Sequence, residues 1–391
     1  MFGKIDMAIM GTGNIASTMA KTIKHVSEVS MYAVASRNQD RATQFAKDYG
    51  FKKAYGSYEE MLNDKKVNLV YIATPISEHY ENMIDCIEHG KNVLCEKSFT
   101  LNEEQAKKVF ALAADKNVLV TEAIWVRYMP MLAQIQEVLA SNVIGEPAML
   151  TANLAYNIKQ IKRMTDPKLG GGSLLDVGVY PINFASMMFG DDIVNIDACC
   201  TYTSTGVDES DSITFRYRDG KMAVLTCSMD GISDRQGIIY GSKGYMIIEN
   251  INNFETLSVF NSANEKTAQY KRPRQKTGYE YEVIDAVKAI KSGWLECPAM
   301  PHVKTLTIMH EMDEIRKILN VKFPQEEEPK ITEPILNVAP EKIEAPAETP
   351  VEAEPEIVES HVEEATTAVV ETPAETPAET TEENEEPAEN N

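Results

Sequence analysis

The sequence predicts a doubly wound α/β domain with a parallel sheet, then an α+β domain on a large, mostly antiparallel sheet, then a disordered acidic tail. Three observations carry this. Over residues 1–122 short apolar runs alternate with helix-period segments, the pattern of a parallel sheet covered by helices on both faces. Over residues 123–325 strand-like runs dominate, separated by turn signals such as Arg218-Asp219-Gly220. Residues 326–391 contain nine Pro, no aromatic residue and near-repeats such as Glu371-Thr372-Pro373-Ala374, too little apolar surface to offset the entropy of ordering.

Strands are expected at Ile5–Met10, Met31–Ala35, Leu69–Ala73, Val93–Cys95 and Val118–Thr121, with helices near 14–27, 39–48, 77–89 and 102–116. In the second region they are expected at Ala148–Tyr156, Ile193–Thr203, Ser210–Tyr217, Met222–Ser228, Gln236–Tyr240, Tyr245–Glu249 and Leu257–Phe260. Helical patterns at 130–142, 173–188, 279–292 and 304–319 place helices on one face of that sheet.

Charge and composition exclude several function classes. The net charge of −22 is concentrated in the tail, where 21 Glu face only Lys330 and Lys342; residues 1–325 carry −3. Neither part has the basic patch that nucleic acid requires. No apolar stretch is long enough for a membrane span, and no secretory signal pattern opens the chain. Six scattered cysteines without a CxxC pair read as free thiols of a reducing cytoplasm, and no residue grouping points to a metal. The tail reads as a solubilising appendage, or as a partner-binding segment through its small apolar islands; the partner is unknown.

The segment Met7-Ala8-Ile9-Met10-Gly11-Thr12-Gly13-Asn14-Ile15-Ala16 is a strand, a glycine turn and a helix start. Gly11 permits the tight turn and Gly13 the close approach of a pyrophosphate. Ala16 lets the helix pack against the strand, and Asn14 and Ile15 open the helix whose N-terminus attracts the phosphates. This context predicts a Rossmann dinucleotide-binding domain. At the end of the second strand, where NAD sites usually hold a carboxylate, stand Ser36 and Arg37. They suit a 2′-phosphate, so NADP is the expected cofactor, with acceptance of NAD as the alternative.

Four further segments follow in order: Ala73-Thr74-Pro75 with His79, Cys95-Glu96-Lys97-Ser98, Glu122-Ala123-Ile124-Trp125-Val126-Arg127, and Gly170-Gly171-Gly172-Ser173-Leu174-Leu175-Asp176-Val177-Gly178-Val179-Tyr180. Their order and spacing resemble the glucose–fructose oxidoreductase/inositol dehydrogenase family. The Glu122–Arg127 segment, with Gly278–Glu282 and Met300-Pro301-His302, is similar to its dihydrodiol dehydrogenase/xylose dehydrogenase branch. The resemblance covers about residues 5–325. It implies oxidation of a sugar, polyol or cyclic diol, a homodimer formed through the open face of the second sheet, and cofactor contacts from Thr74, Pro75, His79, Glu96, Lys97, Trp125 and Arg127. Relatives that hold the cofactor permanently and cycle it internally, and a non-catalytic NADP-binding regulator, are the alternative readings.

By the same resemblance Lys97 lies beside the nicotinamide, and Tyr180 stands where many relatives carry His and this branch carries Tyr, either as the acid/base or as an amphipathic core tyrosine. A free tyrosine, with a pKa of about 10, is a poor base at neutral pH, and an adjacent ammonium stabilises its phenolate. Lys97 is therefore expected to lower the Tyr180 pKa and to bind the substrate hydroxyl. Asp176, four residues from Tyr180, is expected to share its helix face as orienter, or to serve only as a helix N-terminal carboxylate. Trp125 and Arg127 either contact nicotinamide and substrate or pin the domain junction. Tyr279 either stacks on a ring substrate or packs in the core. His79 either covers the cofactor or is a satisfied helix histidine. Ser98 replaces the family's proline, which predicts a less rigidly placed Lys97. The chain divides into residues 1–122, 123–325 and 326–391.

Overall fold

The computed structural model describes residues 3–326; the tail expectations lie outside the described residues. The first sheet is parallel, with strand order β3-β2-β1-β4-β5-β6. Its strands are β1 (Ile5–Met10), β2 (Val29–Ala35), β3 (Lys53–Tyr55), β4 (Leu69–Ile72), β5 (Asn92–Glu96) and β6 (Val120–Ala123). Helices α1 (Asn14–Ile23), α2 (Gln39–Tyr49), α3 (Tyr58–Leu62), α4 (Ile76–Glu88) and α5 (Glu103–Lys116) connect them. Met7–Met10 and all of β4 are buried, as strands covered on both faces must be. Helix boundaries follow local chemistry. The Asn38 side chain accepts from the Arg41 N–H at 2.9 Å to start α2, which Gly50 ends in the left-handed conformation.

A 3₁₀ turn (Trp125–Tyr128) and α6 (Pro130–Ala140) lead into the second sheet, of strand order β14-β13-β12-β11-β7-β10-β9-β8. Its strands are β7 (Pro147–Ala155), β8 (Ile193–Tyr202), β9 (Asp208–Tyr217), β10 (Met222–Ser228), β11 (Gly237–Gly241), β12 (Gly244–Glu249), β13 (Thr256–Asn261) and β14 (Lys266–Lys271). All neighbours are antiparallel except β7 and β10. The remaining helices are α7 (Lys162–Thr165), α8 (Val179–Phe189), α9 (Glu280–Ser292) and α10 (His302–Ile318), with α8 packed on β7 and β10 and α10 on β8. The opposite face is mixed: on β9 exposed Ser212 and Arg216 alternate with buried Ile213 and Phe215, and Arg216 pairs with Asp197 at 2.9 Å across the strands, while Val224, Ile238, Tyr240, Tyr245 and Ile247 stand half-buried on the same open side of β10, β11 and β12.

Three departures from the sequence expectation have local causes. β3 has three residues and begins on an exposed lysine, and β14 alternates exposed Thr267, Gln269 and Lys271 with half-buried Ala268 and Tyr270, so neither shows an apolar run. The helix expected over 173–188 is interrupted: Leu174–Gly178 form a π-type turn before α8. Gly178 faces Cys227 there, and a Cβ would stand 2.9 Å from its Sγ.

Candidate active site at the carboxyl ends of the parallel strands

In the order β3-β2-β1-β4-β5-β6 the chain reverses direction across the sheet between β1 and β4, opening a crevice at their carboxyl ends. Gly11 follows β1 with φ +107°, and a Cβ there would lie 2.8 Å from the Ala73 carbonyl, so only glycine allows the β1 and β4 ends to meet. A Cβ on Gly13 would meet nothing within 4 Å. Gly13 caps α1 without a side-chain hydrogen bond, and the first turn of α1, which begins Asn14-Ile15, holds no acidic residue. Open space at Gly13 thus adjoins the positive N-terminal end of α1, an arrangement that fits a pyrophosphate.

At the end of β2 Ser36 is buried, its hydroxyl accepting from the Asn38 N–H at 3.3 Å. Arg37 is exposed and makes no ion pair among the described residues. At the end of β4, Asn82 Nδ2 donates to Thr74 Oγ1 at 2.9 Å, and Pro75 caps α4. Both ring nitrogens of the buried His79 face backbone carbonyls, those of Ser98 and Thr74, each at 3.0 Å. Burial pushes its pKa down, against the pull of those carbonyls. His79 presents no free ring nitrogen; it ties the β4 end to the β5 end.

β5 delivers Glu96 and Lys97, followed by a cis Lys97–Ser98 peptide. Lys97 Nζ donates to the Asp176 carbonyl at 2.6 Å and to its Oδ1 at 3.2 Å, and lies 5.2 Å from the centre of the Tyr180 ring. Arg163, from α7, holds both oxygens of the same carboxylate, at 3.0 and 3.2 Å. Burial acts to raise the Asp176 pKa, but the charges and hydrogen bonds of Lys97 and Arg163 prevail and hold it at about 2. Ser98 Oγ donates to the Leu175 carbonyl at 2.6 Å. The serine thus supplies a tether that proline lacks, fastening the lysine-bearing strand end to the π-type turn carrying Asp176.

Tyr180 is buried in the first turn of α8, and its hydroxyl accepts from Trp125 Nε1 at 3.2 Å. Burial pushes its pKa well above the ordinary value, reinforced by Tyr279 and Glu96 and opposed by the Trp125 N–H. This corrects the expectation that Lys97 lowers it. The ammonium is spent on Asp176 and sits over the ring rather than at the hydroxyl, so Tyr180 is a neutral phenol around pH 7. Nor does Asp176 engage Tyr180: it orients the lysine. Glu96 accepts from the Tyr71 hydroxyl and from the Lys97 N–H, and burial raises its carboxyl to about 7 despite both.

Trp125 stacks on Tyr279, with ring centres 4.2 Å apart and planes 4° from parallel, so these two form one aromatic wall beside the Tyr180 hydroxyl. Arg127 turns away from it. Its Nε donates to Asn183 Oδ1 at 2.5 Å and its Nη2 to Ser186 Oγ at 2.9 Å, so it pins the 3₁₀ turn to α8 rather than lining the crevice. Arg163 escaped the sequence reading because a four-residue helix leaves no periodic signal.

Known proteins share this fold. Residues 5–124 match the model of an oxidoreductase family with an NAD-binding Rossmann fold, and residues 132–247 match the GFO/IDH/MocA C-terminal domain. A trans-1,2-dihydrobenzene-1,2-diol dehydrogenase from Mus musculus is 31% identical over 329 residues, covering 81% of this chain and 98% of the relative. The enzyme of that name from Homo sapiens is 29% identical with the same two coverages. The 3-ketoreductase KijD10 from Actinomadura kijaniata, in complex with NADP and TDP-benzene, superposes with a TM-score of 0.75 at 23% identity over 81% of this chain and 98% of its own. An aldose-aldose oxidoreductase from Caulobacter crescentus superposes with a TM-score of 0.74 at 17% identity and the same coverages. The chain belongs to the GFO/IDH/MocA family of NAD(P)-binding oxidoreductases, on the dihydrodiol dehydrogenase branch.

Proposed function

We propose that the protein is an NADP-preferring dehydrogenase acting on a hydroxyl of a sugar, polyol or cyclic diol. Tyr180 exchanges the hydroxyl proton, Lys97 supplies positive charge beside it, and Asp176 with Arg163 positions the lysine. The observation that carries this reading is the meeting of Lys97, from the first sheet, with Asp176 and the Tyr180 ring, from the π-type turn and α8. NADP supplies the hydride acceptor and, when reduced, the donor. The first turn of α1 with Gly11 and Gly13 suits its pyrophosphate, and unpaired Arg37 beside Ser36 suits its 2′-phosphate. Thr74 and Pro75 border the same crevice, with His79 holding them in place. Trp125 and Tyr279 offer a flat apolar face to a ring substrate.

The protonation state of Tyr180 gives the mechanism a direction. A phenol held neutral by burial is ready to donate a proton to a substrate carbonyl, whereas alcohol oxidation first requires that it lose one. Tyr180→Phe keeps the ring and removes the transferable proton. Turnover with NADPH and a carbonyl panel should fall about a hundredfold or more, with NADPH affinity unchanged. In the wild type, oxidation should climb with pH across the alkaline range and reduction should decline. Near-normal turnover in Tyr180→Phe would place the proton route elsewhere. The open face of the second sheet, where Ile238, Tyr240, Tyr245 and Ile247 stand half-buried, is the proposed homodimer interface, which light scattering tests: a monomer at micromolar concentration rejects it. Six unpaired cysteines suit a cytoplasmic setting.

A further inference from the structure

One strongly charged segment has no part in the proton and hydride chemistry. From the last residue of β14 toward α9 the chain runs Lys271-Arg272-Pro273-Arg274-Gln275-Lys276, four cations in six residues, a local basic cluster that the net −3 of residues 1–325 conceals and that corrects the expectation of no basic patch. Among the described residues none of the four makes an ion pair, and Lys271, Arg274 and Lys276 are exposed. The loop borders a cavity of about 470 Å³ lined by Arg272, Pro273, Arg274, Gln275, Lys276 and Glu280.

The segment is firmly held. The Arg272 N–H donates to the Glu255 carbonyl at 3.2 Å, its Nη1 to the Asn253 carbonyl at 3.1 Å, and Gln275 Nε2 to Asn253 Oδ1 at 2.8 Å. Glu280, the single acid of the lining, is consumed internally. Its carboxylate accepts from the N–H groups of Lys276, Thr277 and Gly278 at 2.5, 3.0 and 2.7 Å and from the Thr277 hydroxyl at 3.1 Å. It stabilises the loop backbone and leaves the side-chain cations uncompensated.

The loop also adjoins the reacting centre. Gly278 has φ +97°, and a Cβ there would stand 2.6 Å from Trp125 Cζ3 and 2.7 Å from Gln275 Nε2. Trp125 is the residue that stacks on Tyr279 and donates to the Tyr180 hydroxyl. Trp125 therefore stands between the proton-transferring phenol and Gly278, which also adjoins Gln275 of the cavity lining, so the loop carrying the unpaired guanidinium and ammonium groups is a near neighbour of the aromatic wall. Uncompensated like charges gathered beside a cavity are favourable only toward an anion, and two guanidinium forks with an ammonium match the oxygens of a phosphate.

We infer that the physiological substrate is a phosphate ester of a sugar or polyol, its phosphate bound at the Arg272–Lys276 loop while a hydroxyl remote from the phosphate meets Tyr180. Naming this substrate class rests on the dehydrogenase reading above. Arg272 is partly spent on Asn253, so Arg274 and Lys276 carry the discrimination.

The chain has two tryptophans, Trp125 and Trp294, so a Trp294→Phe background leaves Trp125 as the sole indole reporter beside the cavity. In that full-length background, with NADP bound, indole fluorescence is titrated with glucose 6-phosphate, sorbitol 6-phosphate and their unphosphorylated parents. The phosphate esters should bind about ten- to a hundredfold more tightly than the parents at low salt, the scale of one or two charge-assisted hydrogen bonds. Arg274→Ala/Lys276→Ala should abolish that preference, as should high salt, while NADP affinity stays constant. Equal binding of ester and parent in the Trp294→Phe protein, or a preference that survives the double variant, overturns the inference. A double variant that loses NADP rather than the esters overturns it too, because the loop then serves the cofactor. The titration reads binding without turnover, so its outcome is independent of Tyr180→Phe: loss of the phosphate preference leaves the dehydrogenase reading standing, and an active Tyr180→Phe leaves the anion site standing.

Discussion

The two sheets solve the same packing problem differently, and the chemistry is divided accordingly. In the parallel sheet β1 and β4 are buried on both faces, so functional groups emerge only at strand ends: Gly11 and Gly13 after β1, Ser36 and Arg37 after β2, Thr74 after β4, Lys97 after β5. Most of these offer backbone or a short side chain, which suits a large rigid cofactor. The second sheet buries one face, and its contributions arrive on the segments that fold back over the crevice. Asp176 comes on the π-type turn, Tyr180 on α8, and Tyr279 at the head of α9. Binding of the cofactor belongs to the first half, and handling of the proton needs both.

The strongest way to break that division is to remove the group that crosses it. Lys97→Met keeps the length of the side chain but deletes the charge bound by Asp176. Turnover should fall about a hundredfold or more, while NADP affinity, measured by fluorescence titration, changes little. Combined with Tyr180→Phe the loss should be far less than the product of the two, because both act in one proton transfer. Multiplicative losses would mean that the lysine and tyrosine serve separate steps.

The complementary variant touches the first half alone. Arg37 is exposed, free of ion pairs among the described residues, and remote from Tyr180 in sequence and element. Arg37→Ala should weaken NADP about tenfold or more and leave NAD nearly unchanged, the scale of a lost charge-assisted phosphate contact. Wild-type protein that binds NAD more tightly than NADP would contradict the preference outright.

These two regions also differ in how far the sequence discloses them. The glycine turn is a local signal, because Gly11 must adopt positive φ against Ala73, and all five strands first read in the parallel sheet are present. The meeting of Lys97 with Asp176 spans 79 residues of sequence, and nothing local encodes the angle at which they meet. Hence each residue is identifiable from its own motif, while their pairing, with the ammonium directed toward Asp176 and over the ring, is not. Arg127 shows the same limit. Its motif places it near the crevice, but Asn183 and Ser186 on a distant helix draw it inward. Arg163 and the Glu280 brace of the basic loop depend on three-dimensional contacts with no periodic trace.

Buried acids allow the halves to be compared by pH. Burial, opposed by Tyr71 and Lys97, raises Glu96 to about 7; burial, opposed by Thr305 and Arg127, raises Glu122 to about 7. In the second half burial and Asp208 raise Asp211 to about 8, and burial and Asp191 raise Glu311 to about 8. Each binds a proton in the folded chain at pH values where the unfolded chain has released it. Stability therefore declines as pH rises from the ordinary carboxylate range to about 8. Asp176 works in the opposite sense: its contribution is present above the ordinary aspartate value and lost as pH falls toward 2. Thermal midpoints should thus peak in mildly acidic buffer and fall toward pH 8.5. Glu122→Gln and Asp211→Asn should each flatten the alkaline decline, the first mainly below pH 7 and the second up to about 8. A midpoint that rises steadily from pH 5 to 8.5 would show that these acids are ionised in the folded state.

The smallest expected effect tests the tether between the halves. Ser98 is fully buried, and its hydroxyl reaches the Leu175 carbonyl at 2.6 Å, one residue before Asp176. Ser98→Ala removes one neutral hydrogen bond and leaves a buried carbonyl with one partner fewer, a cost of about 1–3 kcal/mol in stability. Its effect on function should be narrower than its effect on folding. Lys97 keeps its own hydrogen bonds to Asp176, so turnover should drop less than about tenfold, and NADP affinity should hold because Gly11, Gly13 and Arg37 are untouched. Denaturant unfolding followed alongside steady-state kinetics separates the two. If Ser98→Ala loses turnover as severely as Lys97→Met while remaining folded, the serine hydroxyl positions the lysine itself, and the two halves are joined at the active site by that single bond rather than by the ion pair.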